Sequence, residues 1–430
     1  MLLCGILSGV TVLMMVLSVF FIPEIRLGKF HMGGYCFFAV LGAAALIAAG
    51  CVSGEGLVSG IFGESAVNPI KILILFLSMT VFSIFLDELG FFRYLASFAL
   101  GKAGKSQKIL FAYLYITVSV LTVFTSNDII ILTFTPFICS FCKNADINPL
   151  PYLFAEFSAA NTWSMALMIG NPTNIYIASF SEIVFFDYLK VMILPTLAAG
   201  AVSFTVLLLI FGRSLKKPIE GTPEKVGITE RPLLIIGLVH LIVCILLLTI
   251  SSYIHLEMWI CSFSLMLSLF ACVLIYRRSK REKPIILLRT VRRMPWELVP
   301  FMLSMFTLVI SLSESGILAS IGDLLGDRSP VFVYGAASFF TANLINNIPM
   351  SVLFANLAER IASLPAAFAA TVGSNLGACL TPVGALAGIM WADILRRRGV
   401  KFDFRDFVKY GSAVSLPALA AALAVLSLTV

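Results

Sequence analysis

The sequence predicts an all-α polytopic membrane protein, and three observations support that fold class: composition, charge placement and matched polar breaks. Of the 430 residues, 60% are hydrophobic and only 12% are charged, and the mean hydropathy is +1.01. A soluble domain of this size is not so apolar. The basic residues lie in short loops between apolar stretches, so nucleic-acid binding is not expected. The lipid bilayer of a bacterial-type cell membrane is the expected surrounding.

Apolar stretches long enough to cross a bilayer, about 20 residues each, follow one another along the chain. The first 22 residues lack a basic start and a cleavage site, so we interpret them as a retained span rather than a signal peptide. Short amphipathic pieces are expected near 91–101 and 316–325. The predicted crossings are 1–22, 33–52, 69–89, 150–182 and 184–212 in the first half, and 232–251, 253–277, 296–314, 364–395 and 406–430 in the second.

Two further stretches, 107–143 and 330–361, are divided by polar residues at 125–128 and 346–349. Their arms are short for full crossings, so each is predicted to be a re-entrant hairpin with its polar tip inside the membrane. Two of the crossings are also expected to be broken helices: 150–182 is interrupted at 170–174, and 364–395 at 373–384. Polar groups at membrane depth are costly unless they line a cavity or are buried in protein.

The placement of charge predicts one orientation. Five basic segments fall on the same side of the membrane when both hairpins are re-entrant, and the positive-inside rule makes that side the cytoplasm. Both termini are then outside, the first hairpin opens to the cytoplasm, and the second opens to the exterior. The basic segments are Arg26 with Lys29, 102–108, 213–231, 277–293 and 396–409.

Each half then contains five crossings and one hairpin in the same order, which predicts two inverted repeats, 1–215 and 232–430, joined by a cytoplasmic linker at 216–231. Short sequence matches agree with this division. Leu-Asp-Glu-Leu-Gly-Phe at 86–91 corresponds to Leu-Ser-Glu-Ser-Gly-Ile at 312–317. Leu-Pro begins each broken helix, and counting from it makes Asn161 equivalent to Asn375.

The hairpin tips and the breaks are the candidate substrate site. The second arm of a hairpin begins as a helix N-terminus, which offers free amide groups and a partial positive charge. Side-chain amides and hydroxyls at these places can bind an oxyanion or, through their oxygens, a cation. The alternative is that they only cap broken helices. The candidate substrate-binding residues are Ser126, Asn127, Asn171, Thr173, Asn174, Asn346, Asn347, Asn375, Thr381 and Gly384.

Asp128 is the one acidic residue at a tip, and an intramembrane carboxylate is a functional hypothesis by default. Asp128 and Asn161 are the predicted ion-coupling residues, with H⁺ or Na⁺ as the coupling ion. Asp128 could instead cap the second arm of its hairpin. Glu156, inside a broken helix, is a lesser candidate. No Lys or Arg lies at any break.

Neither a catalytic cluster nor a metal site is predicted, and no cofactor is expected. The three histidines fit no cluster. Cys139 and Cys142 share a helical face, but no third soft ligand is nearby, so we interpret them as small packing residues. The chain is therefore not expected to be an enzyme, and a small inorganic or organic ion is the expected substrate.

At these residues the chain resembles the ion transporter superfamily, which includes arsenite-efflux permeases, divalent-anion/sodium symporters and sodium/proton antiporters. Ser126-Asn127-Asp128 with Thr135-Pro136 is similar to the first tip of the arsenite-efflux type, and Asn-Asn-Ile-Pro at 346–349 is similar to its second tip. Residues 373–391 resemble its second broken helix. The resemblance covers nearly the whole chain, and it implies an elevator mechanism with the hairpins and broken helices moving against a scaffold.

The resemblance favours arsenite or antimonite efflux coupled to protons. The alternatives are a sodium- or proton-coupled carrier of a dicarboxylate or citrate-like anion, and a sodium/proton antiporter. The arsenite type usually has Asp where this chain has Asn161 and Asn375. The resemblance also implies a homodimer as the expected assembly and, for the arsenite type, a soluble ATPase partner.

Overall fold

A computed structural model describes residues 1–22, 24–27, 30–63, 68–219, 227–228, 230–251, 254 and 256–430. Within them the chain is helical apart from one antiparallel pair of strands, β1 (Glu24–Leu27) and β2 (Phe30–Gly33). The helical prediction is confirmed, and the strand pair was not predicted. Half of the predicted linker at 216–231, residues 220–226 and 229, lies outside the described residues.

Each half of the described chain contains ten helices. The first half is α1 (Leu2–Phe21), α2 (Gly34–Ala48), α3 (Gly54–Phe62), α4 (Pro69–Glu88), α5 (Phe91–Ala103), α6 (Gln107–Phe124), α7 (Asn127–Asn144), α8 (Leu150–Trp163), α9 (Pro172–Phe180) and α10 (Phe185–Phe211). The second half is α11 (Arg231–Ile250), α12 (Met258–Ser279), α13 (Ile285–Arg292), α14 (Leu298–Glu314), α15 (Ile317–Leu325), α16 (Pro330–Ile345), α17 (Asn347–Arg360), α18 (Leu364–Gly377), α19 (Leu386–Arg397) and α20 (Phe404–Thr429).

Two glycines end equivalent helices. Gly90, between α4 and α5, has a φ of 77°, and Gly316, between α14 and α15, has a φ of 75°. Glycine adopts this left-handed conformation without the steric cost that a Cβ atom imposes. The chain therefore turns sharply at both places, and α14 and α15 are bent by 80°.

Both predicted broken helices are interrupted, and the breaks overlap the predicted ones but begin and end at other residues. The first begins at Ser164, where two 3₁₀ turns follow α8, and it ends where α9 begins at Pro172. The second spans 378–385, after α18 ends at Gly377. In the first break the amide of Asn174 donates to the carbonyls of Ser164 (2.7 Å) and Leu167 (3.2 Å), which an unbroken helix would have paired internally.

Six described helices, α4, α6, α10, α11, α12 and α20, are long and apolar enough to cross a membrane, and the bent pair α14–α15 makes a seventh. The sequence predicted more crossings because it counted broken helices and helices shorter than 18 residues. It also assigned α6 to a hairpin arm, whereas by length and composition alone α6 could cross the membrane. The chain is a multi-pass membrane protein.

Packing between the halves is reciprocal. Helix α7 packs on α19 while α17 packs on α9, and α2 packs on α14 while α12 packs on α4. Helices α10 and α20 pack directly on each other. Numbered from the start of each half, each of these contacts of helix i with helix j has its counterpart of j with i. Such exchange is what a two-fold relation between two bodies produces.

Polar contacts give the direction of the equivalent helices α4 and α14. Arg293, just before α14, contacts Asp87 and Glu88 at the last turn of α4, with N–O distances of 2.7 Å to each carboxylate. Helix α14 therefore begins at the end of the molecule where α4 finishes, so the two helices run in opposite directions. At the other end of α14, the Glu314 carboxylate accepts hydrogen bonds from the amide (2.9 Å) and hydroxyl (2.8 Å) of Ser53.

Candidate functional site

Eight polar residues meet at the first break and in α18, and we call them the amide cluster. Every one is at most 2% exposed. The cluster joins the first half of the chain to the second, because Ser374 and Asn375 on α18 contact residues of the first break. Its members are Asn127, Asn161, Ser164, Asn171, Thr173, Asn174, Ser374 and Asn375.

Asn375 is the centre of the amide cluster. Its side-chain oxygen accepts from the Ser164 hydroxyl (2.8 Å) and the Asn171 amide (3.0 Å). Its amide donates to the side-chain oxygen of Asn174 (2.6 Å) and to the Thr371 carbonyl (2.8 Å). All of the bonding capacity of its amide group is used, and three of the four partners are side chains or turns of the first half. A buried amide satisfied in this way fixes the relative position of the two halves.

The predicted first hairpin tip enters the cluster through Asn127, the first residue of α7. Its amide donates to the side-chain oxygen of Asn161 on α8 (3.1 Å), whose own amide donates to the Phe157 carbonyl (2.9 Å). The side-chain oxygens of Asn127 and Ser126 are buried, and neither has a hydrogen-bond partner among the described residues. Unpaired buried oxygens are costly, so this tip has acceptor capacity that a bound ion or solute can use.

The second tip forms a separate cluster with the second break, the second-tip cluster of Asn343, Asn346, Thr381 and Gly384. The Thr381 hydroxyl donates to the Asn343 side chain (2.7 Å), and the Asn343 amide donates to the Gly377 carbonyl (3.0 Å). The Asn346 amide donates to the Val383 carbonyl (3.1 Å), while its side-chain oxygen accepts from the Ile348 amide (3.3 Å).

Gly384 allows the second break to pack against the neighbouring backbone. A Cβ atom on this residue would lie 2.7 Å from the Gly377 carbonyl oxygen and 2.8 Å from the Asn343 side-chain oxygen. Both distances are shorter than real Cβ contacts, and the first involves backbone that cannot rotate away. Gly384 is therefore needed for packing within the second-tip cluster. This contact does not test the predicted role of Gly384 in binding substrate, which stays a prediction.

Three predicted residues join neither cluster: Ser126, whose hydroxyl oxygen is unpaired among the described residues, Asn347 and Asp128. Asn347, next to Asn346, is 4% exposed, and its side chain makes no hydrogen bond within the described part of the chain. Asp128 is partly exposed, it acts electrostatically on Tyr35 of α2, and it pairs with no described cation. Leu132, one turn further along α7, lines a cavity of about 1740 Å³ between α14, α19 and the start of α20, together with Glu297 and Val383.

The two clusters contain no charged side chains, but helix N-termini contribute partial positive charge. Their side chains are amides and hydroxyls, and among the described residues no group of three or more His, Cys, Asp or Glu side chains could hold a metal ion. Helices α7 and α9 begin in the amide cluster, and α17 and α19 begin at the second tip and second break. Each N-terminus contributes free N–H groups and a partial positive charge. The arrangement can therefore bind a polar neutral solute or an anion.

The sequence missed three residues of these clusters: Ser164, Ser374 and Asn343. Ser374 stands next to Asn375, and its hydroxyl donates to Thr173 (2.8 Å), so the polar pair was a visible signal. Asn343 is a lone amide in an apolar arm one turn before the tip, which was also visible. Ser164 gave no such signal, because serine occurs throughout the spans and its role depends on where α8 ends.

The known proteins and the family profile that this chain matches are those of membrane transport proteins. The citrate transporter profile, CitMHS, matches residues 34–373. The chain is 25% identical over 371 residues to an arsenical pump membrane protein of Escherichia coli, covering 82% of this chain and 85% of that protein. It is 24% identical to an uncharacterized transporter of Mycobacterium tuberculosis (strain ATCC 25618 / H37Rv), covering 88% and 90%.

A solved structure supports the fold alone. The Alcanivorax borkumensis YdaH transporter, whose crystal structure was described as having an unusual topology, aligns with a TM-score of 0.58 at 14% sequence identity. The alignment covers 99% of this chain and 97% of that one. Together with the profile match over most of the sequence, this agreement leads to one assignment: the chain belongs to the citrate transporter family, CitMHS, a family of membrane transporters.

Proposed function

We propose that the protein is a secondary active transporter of a small oxyanion or metalloid, with arsenite or antimonite efflux coupled to protons as its first candidate function. The observation that carries this proposal is the amide cluster: a buried, uncharged, fully polar contact between the two halves, located at a helix break and a hairpin tip. Buried polar groups at such interruptions are the usual form of a transporter's substrate site.

The chemistry of the amide cluster suits arsenite better than a multiply charged anion. Arsenous acid is uncharged at neutral pH, and its three hydroxyls both donate and accept hydrogen bonds. Side chains such as Asn127 and Ser126, with unpaired oxygens, can accept from them, and amide groups can donate. No Lys or Arg is needed, and the sequence places none at a break. The arsenical pump relatives agree with this substrate.

The transport cycle we propose is of the elevator type. An inverted repeat is supported by two observations. Helices α4 and α14 run in opposite directions, and several contacts between the halves are reciprocal. We assign α6–α9 and α16–α19 to a moving domain that contains both hairpins. The cavity of about 1740 Å³ borders the basic segment 396–401, which the positive-inside rule places in the cytoplasm, so this conformation corresponds to an inward-facing one.

Coupling is proposed at the first tip, where Asp128 is available to exchange a proton with solvent. Asn161, bonded to Asn127, links that tip to the amide cluster. A sodium ion could use the unpaired oxygens of Ser126 and Asn127 instead, since sodium prefers oxygen ligands, so H⁺ and Na⁺ both remain in the proposal. A homodimer formed through the scaffold, and a soluble ATPase that docks on the basic segments, are further proposals for the arsenite case.

A citrate-like or dicarboxylate anion is the second candidate substrate, and the family profile favours it. Such an anion would need compensating charge, which co-bound sodium and the N-termini of α7, α9, α17 and α19 would have to supply. This requirement distinguishes the two candidates, because anion transport should depend on sodium or on several protons, whereas arsenite transport should not need sodium.

Flux into proteoliposomes tests the proposal. Purified protein should move arsenite or antimonite against its gradient when a pH gradient is imposed and no ATP is present, and Asp128→Asn should abolish the dependence on that gradient. Sodium-dependent citrate or dicarboxylate uptake without arsenite flux would instead identify the second candidate. Sodium/proton exchange with neither solute would identify an antiporter. Flux of none of these ions under either gradient would contradict the proposal.

A further inference from the structure

The carboxyl group of Glu156 is buried in the middle of the helices that we assign to the moving domain, and the site described above does not use it. Glu156 lies on α8, and its side chain has no exposed surface. Its Oε1 atom accepts a hydrogen bond of 2.7 Å from the Thr135 hydroxyl of α7. The Oε2 atom is buried and has no hydrogen-bond partner among the described residues.

Trp391 of α19, which belongs to an aromatic cluster, lies next to this carboxyl group. Trp391 of α19 is fully buried, with its ring centroid 5.2 Å from those of Phe157 and Phe402 and 5.6 Å from that of Phe407. The indole interacts with the Glu156 carboxyl, although its N–H misses hydrogen-bond geometry. An ionised carboxylate with one donor and apolar rings around it would be strongly destabilised, whereas a neutral acid is tolerated.

No described cation compensates a charge at Glu156. Cys139, one turn after Thr135 on α7, interacts electrostatically with the carboxyl, and Arg398 interacts with Cys139 from the exposed end of α19. Arg398 itself donates to the Ser140 hydroxyl (3.3 Å). Other titratable groups near this part of α8 include the thiol of Cys142 on α7, which interacts with Tyr152 and Cys139, and the phenols of Tyr115 on α6, Tyr152 on α8 and Tyr410 on α20.

The helices that contact the carboxyl, α7 and α19, also line the cavity. Leu132 and Met390 line that cavity; Leu132 is three residues before Thr135 on α7, and Met390 is adjacent to Trp391 on α19. In the other direction Glu156 is five residues before Asn161 on α8, which corresponds to about 7.5 Å along the helix axis. Phe402 lines the cavity and its ring centroid is 5.2 Å from that of Trp391, so the indole next to the carboxyl is one ring away from the cavity, while α8 connects the carboxyl to Asn161 of the amide cluster.

We propose that Glu156 is a proton-carrying group of this transporter and that it is neutral in the present conformation. It exchanges its proton with water in the cavity when α7 and α19 move apart at Thr135 and Trp391. The proton passes between the free Oε2 atom and a water molecule, and no other bond is made or broken. The use of Glu156 in coupling rests on the proposed function, whereas the protonation of Glu156 in this conformation does not. A charge on the Glu156 carboxylate would act on three helices at the same time: α7, α8 and α19.

Infrared difference spectroscopy on the purified protein in detergent tests the protonation step without any substrate. A neutral carboxylic acid has a carbonyl stretch that an ionised carboxylate and an amide both lack. We expect the spectrum at neutral pH to lose one such band in Glu156→Gln and to keep it in Asp128→Asn. Tyr152→Phe is the matched control, because it removes a buried hydrogen bond to Gln107 (2.9 Å) one turn away on the same helix.

Flux measurements then test the coupling step. Glu156→Gln keeps the shape and the Thr135 contact of the neutral acid, so arsenite or citrate exchange at equal pH should stay within about threefold of the original protein. Uptake driven by a pH gradient should fall by about tenfold or more, the size of effect that removing an energetically coupled group produces. Tyr152→Phe should retain both activities.

Two results would overturn the proposal. The first is a carbonyl band that survives unchanged in Glu156→Gln, because the band would then belong to another group and Glu156 would be ionised. The second is full pH-gradient-driven uptake by Glu156→Gln, since Glu156 would then only pack against Thr135. If the original protein moves no solute, the proposed function fails, while the infrared result still decides whether Glu156 is protonated.

Discussion

The two hairpin tips occupy equivalent positions in the two halves but use their asparagines differently. At the first tip, Asn127 donates to Asn161 and leaves its side-chain oxygen unpaired, as does neighbouring Ser126. At the second tip, Asn346 bonds to the Val383 carbonyl and to its own helix through the Ile348 amide. At the first tip two side-chain oxygens are unpaired, whereas at the second tip the Asn346 side chain closes the structure and only Asn347 is left without a hydrogen bond among the described residues.

The backbone shows the same difference. Asn346 has a φ of 73°, in the left-handed region that asparagine and glycine tolerate best, whereas Ser126, which precedes α7, has an extended φ of −81°. The second tip is therefore held by its own backbone turn and two side-chain bonds. We infer that the first tip contacts the transported solute and the second tip is a structural closure, so similar positions in the two halves need not have the same role.

The largest expected effect is at the amide cluster, which both halves share. Asn375→Leu leaves the Asn171 amide and the Asn174 side-chain oxygen without their partner, whereas the Ser164 hydroxyl keeps the Asn161 carbonyl as an acceptor; each unsatisfied buried group costs roughly 1–3 kcal/mol. The free energy of unfolding should fall by about 3 kcal/mol or more, and transport should be lost. Thermal unfolding in detergent, followed by flux measurements on whatever remains folded, checks this prediction.

A matched pair of isosteric changes refines that prediction. Asn375→Asp removes the donors to Asn174 and Thr371, whereas Asn161→Asp removes only the donor to the Phe157 carbonyl and keeps the acceptor for Asn127. Asn375→Asp should therefore destabilise the protein by about 1 kcal/mol more than Asn161→Asp. Equal melting temperatures for the two variants would show that Asn375 is not the centre of the cluster.

At the second tip, Asn346→Ala should mainly affect stability. It places a Cβ-bearing residue that lacks a local hydrogen bond at a φ of 73°, and it also removes the bond to Val383. The combined cost should be about 2 kcal/mol. Asn346→Gly removes the same hydrogen bonds without backbone strain, so it should recover about half of that loss. A melting temperature for Asn346→Gly no higher than that of Asn346→Ala would contradict the structural role of the turn.

At the first tip, Asn127→Ala should affect stability less than transport. It removes one hydrogen bond, to Asn161, which is worth about 1 kcal/mol. The measurement is the initial rate of uptake alongside the melting temperature. A variant that melts several degrees lower but transports normally would show that the first tip is also only structural.

The smallest effect is expected at the mouth of the second hairpin. Arg360 at the end of α17 pairs with Asp323 of α15 at 2.9 Å, but both side chains are largely exposed. Exposed ion pairs contribute about 0–1 kcal/mol. Arg360→Gln should therefore shift the melting temperature little, and less at high salt than at low salt. A large shift would mean that this ion pair, rather than Asn346, holds the second hairpin.

Much of this fold could be predicted from hydropathy, because apolar stretches and polar interruptions report helices and breaks directly. The positions of the breaks could not, since α8 ends where the Asn174 side chain takes over the carbonyls of Ser164 and Leu167, a contact from beyond the break. The strand pair at 24–33 was missed for a related reason: four-residue strands in a short loop carry no periodic signal.

For the site, the sequence identified the asparagines but not which of them meet. It predicted equivalence between Asn161 and Asn375, and the structure places both in the amide cluster, yet only Asn375 contacts the opposite half. Contacts between halves depend on how α9 and α18 pack, which no local pattern encodes. The division of Asn127 and Asn346 between two clusters is likewise a property of tertiary structure.

The most direct test of the central claim compares Asn127→Ala with Asn346→Ala in the same flux assay, with arsenite as solute and a pH gradient as driving force. We predict that Asn127→Ala loses about tenfold or more of the initial rate, equivalent to at least one lost substrate hydrogen bond. Asn346→Ala, measured on folded protein, should stay within about threefold of the original rate. The opposite order of the two rates would contradict the assignment of the substrate to the first tip.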